Sequence, residues 1–183
     1  MAHLQGRQYD IEILLLHADR LRSVSEPNDG ELTHYRADGS AHMVDVSQKP
    51  VTSRVATATA DFLSRTDVIG RIMAGDLPKG EAISTARIAG ILAAKRTHDL
   101  IPLCHPLPIS NVTIDFVAHN DSIRISATVK TTSQTGVEME ALTAVSVSAL
   151  TLYDMVKAVD RAAVITSIQV DQKTGGTHDW QRT

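Results

Sequence analysis

Aromatic side chains are scarce in this chain, at 3% of 183 residues. That poverty removes the stacking platforms on which single-stranded nucleic acids lay their bases. A formal net charge of −3 argues the same way, because non-specific nucleic-acid binding needs an extended basic face. No nucleic-acid partner is expected. Cysteine is nearly absent too. The lone Cys104 excludes an intrachain disulfide and a multi-cysteine zinc or iron–sulfur centre, and it fits a reducing compartment, with the cytoplasm as the expected location. The N-terminal apolar run from Ile11 to Leu16 is far shorter than the roughly 20 residues of a membrane helix. Asp10 and Glu12 stand where an export signal would be basic, so neither a membrane partner nor an export signal is expected. Metal ligation and phosphate binding lack their familiar signatures. Eight histidines are scattered without an HExxH pair or comparable spacing, and neither a Walker loop nor a dinucleotide-binding glycine fingerprint occurs. The expectation is no dedicated metal site.

What the chain does have is small and aliphatic. Apolar residues make up 43% of it, enough for one well-buried core in a single domain, filled by Ala, Val, Ile and Leu at close spacing. Residues 1–40 end in turn-rich polar text, SEPNDG and ADGS, and read as a loosely held extension. Residues 41–183 read as the domain. Alternation predicts a strand over Ser53–Phe62, and a stripe of Val68, Ile69, Ile72 and Met73 predicts a helix over Thr66–Ala74. A second helix is expected over Glu81–Thr97, followed by a loop from His98 to Pro108. Strands are expected at Ile109–Ala118 and Ser122–Thr131, a long helix at Thr135–Ala158 and a last strand at Ala163–Gln172. This order predicts an α+β fold on the ferredoxin-like split βαβ plan, with helices packed on one face of an antiparallel sheet.

The long helix is the most informative segment. From Ala141 to Leu152 it carries no charge, so its ionisable residues crowd into its two end turns. Glu140 and Asp154 lie roughly 21 Å apart along its axis and point within about 40° of each other. Glu138 and Glu140 sit where the helix dipole favours acids, so capping explains them as readily as ligand binding. Asp154 sits at the unfavourable end and needs a partner or a task. Lys157, three residues on, is either an ordinary ion-pair partner or one half of a proton donor and acceptor pair. The loop IPLCHP holds Cys104 and His105 between two prolines, which suits a site but equally suits a buried thiol beside a hydrogen-bonded histidine. KTGG at Lys173–Gly176 offers a lysine beside flexible backbone amides or simply a tail turn. Lys79, Arg54, Arg87, Lys95 and Arg96 complete the basic supply, most of it expected on solvated surface.

Four blocks carry a resemblance: HMVDVS at His42–Ser47, TARIAGILAAKRTHDLIPLCHPL at Thr85–Leu107, TGVEMEALTAVSVSALTLYDMVKA at Thr135–Ala158, and KTGG at Lys173–Gly176. Across roughly residues 40–180 the chain resembles the cyclic pyranopterin monophosphate synthase family of molybdenum cofactor biosynthesis. The resemblance implies a ferredoxin-like lyase that converts (8S)-3′,8-cyclo-7,8-dihydroguanosine 5′-triphosphate to cyclic pyranopterin monophosphate and diphosphate. It implies a homohexamer, a trimer of dimers, with active sites at subunit interfaces. No cofactor is expected beyond a magnesium ion that can accompany the triphosphate. The resemblance makes Asp154 the catalytic acid/base, with Lys157 beside it and Lys79 associated with the triphosphate. Leu103, Cys104, His105, Glu138, Met139, Glu140 and Lys173 would bind substrate. The family more often carries lysine where Gln134 stands, tryptophan at His98, and a second lysine at Thr177. From another class, a catalytically silent guanine-nucleotide-binding regulatory module would keep the pocket without the chemistry.

Overall fold

The computed structural model describes residues 38–183. The expectation of an extension over residues 1–40, with its Ile11–Leu16 run, lies outside the described residues except for a turn in which Asp38 Oδ1 accepts the Ser40 amide at 2.9 Å. Residues 43–183 form one compact unit. Its elements run β1 (Thr52–Leu63), α1 (Thr66–Ala74), α2 (Ala82–Ala94), α3 (Thr97–Leu100), β2 (Ile109–Ala118), β3 (Ser122–Ser133), α4 (Glu138–Val156), β4 (Val164–Thr174) and β5 (Trp180–Gln181).

Alternation decides which way the sheet faces. In β1, Ala56, Ala58, Ala60 and Phe62 are fully buried, and in β3 so are Ile123, Ile125, Ala127 and Val129. These residues share the face covered by helices. The intervening positions are polar: Thr57 and Thr128 hydrogen-bond at 2.9 Å, and Arg124 grips Asp61 with contacts of 2.8 and 2.7 Å. The strands pair antiparallel in the order β2-β3-β1-β4-β5. The architecture is therefore α+β and ferredoxin-like, with a short fifth strand added at one edge.

The small core residues allow the helices to approach closely. α2 crosses α4 at Gly90, where an added Cβ would collide with Ser148 Oγ, Ile114 Cδ1 and the Ala144 carbonyl. Ser148 Oγ donates to the Ala86 carbonyl at 3.1 Å across the same crossing. α4 is long and apolar enough on composition alone to cross a membrane, yet Ala141, Ala144, Val145, Ala149, Leu152 and Val156 are buried in the protein. Each large aliphatic side chain so buried stabilises the fold by roughly 1.5–3 kcal/mol.

Several element boundaries differ from expectation for local reasons. Glu81 is the N-cap of α2 rather than its first residue, its carboxylate accepting the Ile83 and Ser84 amides at 3.0 and 2.6 Å. α2 stops at Ala94, whose carbonyl accepts the buried Thr97 hydroxyl at 3.0 Å; the chain then makes the single turn of α3 where a loop was expected. β3 runs on to Ser133, paired with Thr52, so α4 begins at Glu138 instead of Thr135.

Candidate active site

At the C-terminal end of α4, one carboxylate sits between two ammonium groups. Lys79, from the turn before α2, reaches Asp154 Oδ2 at 2.6 Å and the Asp154 carbonyl at 2.9 Å. Lys157 Nζ lies 2.7 Å from Asp154 Oδ1. Hydrogen bonds from Lys157 and then Lys79 outweigh desolvation and hold the Asp154 carboxyl down at about 2. The Lys157 ammonium is raised by the same contact. All three side chains remain open to solvent, Asp154 at 54% exposure, so the cluster faces outward. The sequence placed Lys157 by helical spacing. Lys79 is 75 residues away in the chain, and only the turn geometry brings it here.

The N-terminal end is built differently. Val137 is the N-cap of α4 and makes no side-chain cap, and Glu138 and Glu140 both stand in the first turn of the helix. Glu138 faces Lys173, with Oε1 3.4 Å from Nζ. Glu140 is 4% exposed. Desolvation, with a smaller contribution from the Glu138 charge, pushes its carboxyl up to about 7. Burial also pushes the Cys104 thiol up, and Glu140 adds to that shift, which disfavours the thiolate. His105 turns elsewhere, its Nε2 3.0 Å from the Val44 carbonyl, which requires the proton on Nε2. Leu103, Cys104 and His105 are each half-buried in the loop after α3, and Met139 is 37% exposed.

Beside Glu138 lies a cleft of about 260 Å³. Its lining includes Lys49, Arg54, Glu138, Lys173, Gly176 and His178. Arg54, expected on solvated surface, is instead half-buried and donates through Nη2 to the Gln134 carbonyl at 3.1 Å and through Nε to the Ser133 carbonyl at 3.4 Å. Lys49, Arg54 and Lys173 thus line one cleft with the Glu138 carboxylate at the positive end of α4, an arrangement suited to a polyanion. Gln134 and Thr177, two of the three departures from the family pattern, both line this cleft, and Lys49 and Arg54 supply cationic charge beside them. His98 lies apart in α3, 3.4 Å from Asp99.

One chain does not bring the two stations together. Lys79, Asp154 and Lys157 gather at one end of the continuous α4; Glu138, Glu140, Lys173 and the Cys104 loop gather at the other, roughly 21 Å away by helical rise. Among the described residues no group of three or more His, Cys, Asp or Glu side chains is gathered to hold a metal ion. Sequence reasoning missed Lys49 and gave Arg54 no role; the available signal was only their position, Lys49 just after the HMVDVS block and Arg54 as the third residue of β1.

Comparison with known proteins follows the same residues. The cyclic pyranopterin monophosphate synthase of Corynebacterium glutamicum strain ATCC 13032 is 60% identical over 151 residues, 82% of this chain and 97% of that protein. The enzyme of that name from Corynebacterium efficiens is 58% identical over the same shares. That from Streptomyces coelicolor is 56% identical over 161 residues, 87% of this chain and 94% of that protein. Residues 43–176 match the MoaC family, and on that match, together with these relatives, the chain belongs to the MoaC family.

Proposed function

We propose that this protein is a cyclic pyranopterin monophosphate synthase acting in molybdenum cofactor biosynthesis. Its substrate would be (8S)-3′,8-cyclo-7,8-dihydroguanosine 5′-triphosphate and its products cyclic pyranopterin monophosphate and diphosphate, which makes it a phosphorus–oxygen lyase working in the cytoplasm. The observation that carries this reading is the Asp154 carboxylate held between Lys79 and Lys157. The names of relatives 56–60% identical support it.

The chemistry needs a purine-derived ring opened, a new ring closed, and a sugar hydroxyl delivered to the α-phosphate while diphosphate departs. Asp154 is fully ionised near neutrality, so it accepts protons. With a carboxyl at about 2 it is a weak base while both lysines hold it. A substrate phosphate that draws Lys79 or Lys157 away would weaken those hydrogen bonds and raise its basicity when substrate is present. The released ammonium group would then offset phosphate charge or donate a proton. Arg54, Lys49 and Lys173 are suited to the triphosphate, and Glu140, Met139 and the Leu103–His105 loop to the purine-derived part. Magnesium can accompany the triphosphate.

A nucleoside triphosphate does not bridge two stations roughly 21 Å apart on one rod while enclosed. Sites shared between copies therefore follow, as in a homohexamer built as a trimer of dimers. Ile88 and Leu92, one turn apart on α2, are 60% and 54% exposed, and Leu150 on α4 is 58% exposed. This apolar strip on the outer helical layer supports burial against another copy. The test is incubation of the purified protein with the cyclised nucleotide and analysis of products by mass spectrometry. Diphosphate and the cyclic monophosphate are expected. Tight guanine-nucleotide binding without product would instead favour the silent regulatory module.

A further inference from the structure

The family match stops at residue 176, and Thr177–Thr183 lie beyond it. These residues are nonetheless fastened to β4. Trp180 pairs with Lys173 and Gln181 with Gln172 in antiparallel register. The Arg182 amide donates to the Asp171 carbonyl at 2.7 Å, its Nε donates to the Val170 carbonyl at 3.0 Å, and its guanidinium lies 5.4 Å from the centre of the Trp180 ring. Directly paired residues project to the same face of a sheet, so the indole of Trp180 stands beside the stem of Lys173.

Between the two strands the chain turns at Gly175, with φ of +82°. A Cβ there would run into the Ser53 carbonyl, so only glycine fits this approach to β1. Two hydrogen bonds pin the turn. Thr52 Oγ1 donates to the Gly175 carbonyl at 2.6 Å, and the Gly175 amide donates to Asp179 Oδ1 at 2.9 Å. The next residue, Gly176, lies against Arg54, where a Cβ would come within 3.0 Å of Nη1. Lys173, Gly176 and His178 all line the cationic cleft. One side of that cleft is thus a turn held at Gly175 by Thr52 from β1 and by the Asp179 carboxylate from the tail.

We propose that Asp179 is a positioning residue for the polyanion cleft. By accepting the Gly175 amide it fixes the turn from Thr174 to His178, which keeps Lys173 and Gly176 against Arg54. It acts through the turn and does not touch substrate. This deepens the proposed function, since it rests on the cleft taking the triphosphate. Electrostatics alone predicts the opposite sign: removing a negative charge beside a cationic cleft tightens anion binding. Weaker binding on removing Asp179 can therefore come only from loss of position.

The experiment compares the parent protein with Asp179→Ala and Asp179→Asn in two measurements: calorimetric binding of inorganic tripolyphosphate, and steady-state turnover of the cyclised nucleotide. Asp179→Ala is expected to raise both the tripolyphosphate Kd and KM about tenfold, the low end for one hydrogen bond to a charged group, at unchanged kcat. Asp179→Asn keeps an oxygen for the Gly175 amide and sheds the charge, so it is expected to bind at least as tightly as the parent. Unchanged or tighter tripolyphosphate binding by Asp179→Ala would overturn the inference, as would equal impairment in Asp179→Asn. A parent protein that forms no product would overturn the proposed function instead, while the tripolyphosphate series still decides the role of Asp179.

Discussion

Two carboxyl groups on α4 are driven in opposite directions by their surroundings. Asp154 is exposed and doubly hydrogen-bonded to cations, so its carboxyl falls to about 2; Glu140 is buried and has risen to about 7. For Asp154 the lowered value contributes stability that is present above its unfolded value of 3.8 and is lost as pH falls through about 2. Lys79→Ala removes one of the two donors. A carbon-detected NMR titration should then find the Asp154 carboxyl moved up from about 2 toward 3.8, and an unchanged value would show that Lys79 contributes nothing. Glu140 has the reverse sign. Between its unfolded value of 4.5 and about 7 the native state holds a proton that the unfolded state has released, so stability falls as pH rises through that window and levels off above it. Glu140→Gln should flatten the dependence and be the more stable protein near pH 8, by up to about 3 kcal/mol, as read from urea unfolding. A slope that persists in the variant would assign the effect to another group.

The boundaries of α1 and β2 were legible from periodicity and turn residues, because each is an amphipathic segment bounded by its own breakers. β5 was not, since two residues make no period and owe their place to pairing with β4. The same limit applies to the site. Lys157 could be read beside Asp154 from an i,i+3 spacing, whereas Lys79 reaches it across 75 residues and Arg54 reaches the cleft from another strand. The acids at the start of α4 were legible as first-turn residues, whereas the burial of Glu140 depends on packing that the sequence does not show. Packing of α2 on α4 was foreshadowed by the small residues, and it makes a sharp prediction. Gly90→Ala improves helix propensity by roughly 1 kcal/mol, but its Cβ meets Ser148, Ile114 and the Ala144 backbone. Overpacking of a closed core costs about 1–3 kcal/mol, so net destabilisation is expected in denaturant titration. A more stable variant would mean that the crossing can open without strain.

Across the whole molecule, the spacing of the two charged stations and the apolar strip on the helices lead to the same arrangement. If sites form between copies, the strip is where burial is most favourable. Ile88→Glu together with Leu92→Glu, both largely exposed in the single chain, should leave the fold intact by circular dichroism, dissociate the assembly in sedimentation, and lower turnover with it. Full activity in a sedimenting monomer would show that one chain holds a complete site.

Turnover depends most directly on the Asp154 carboxylate. Asp154→Asn keeps the shape of the side chain and an oxygen for its lysines but removes the proton acceptor. Diphosphate release from the cyclised nucleotide, followed with parent and variant at saturating substrate, should fall by at least about a hundredfold, the lower range for a lost general acid or base. Circular dichroism and tripolyphosphate binding should stay as in the parent. Turnover within a few-fold of the parent would contradict the role given to Asp154.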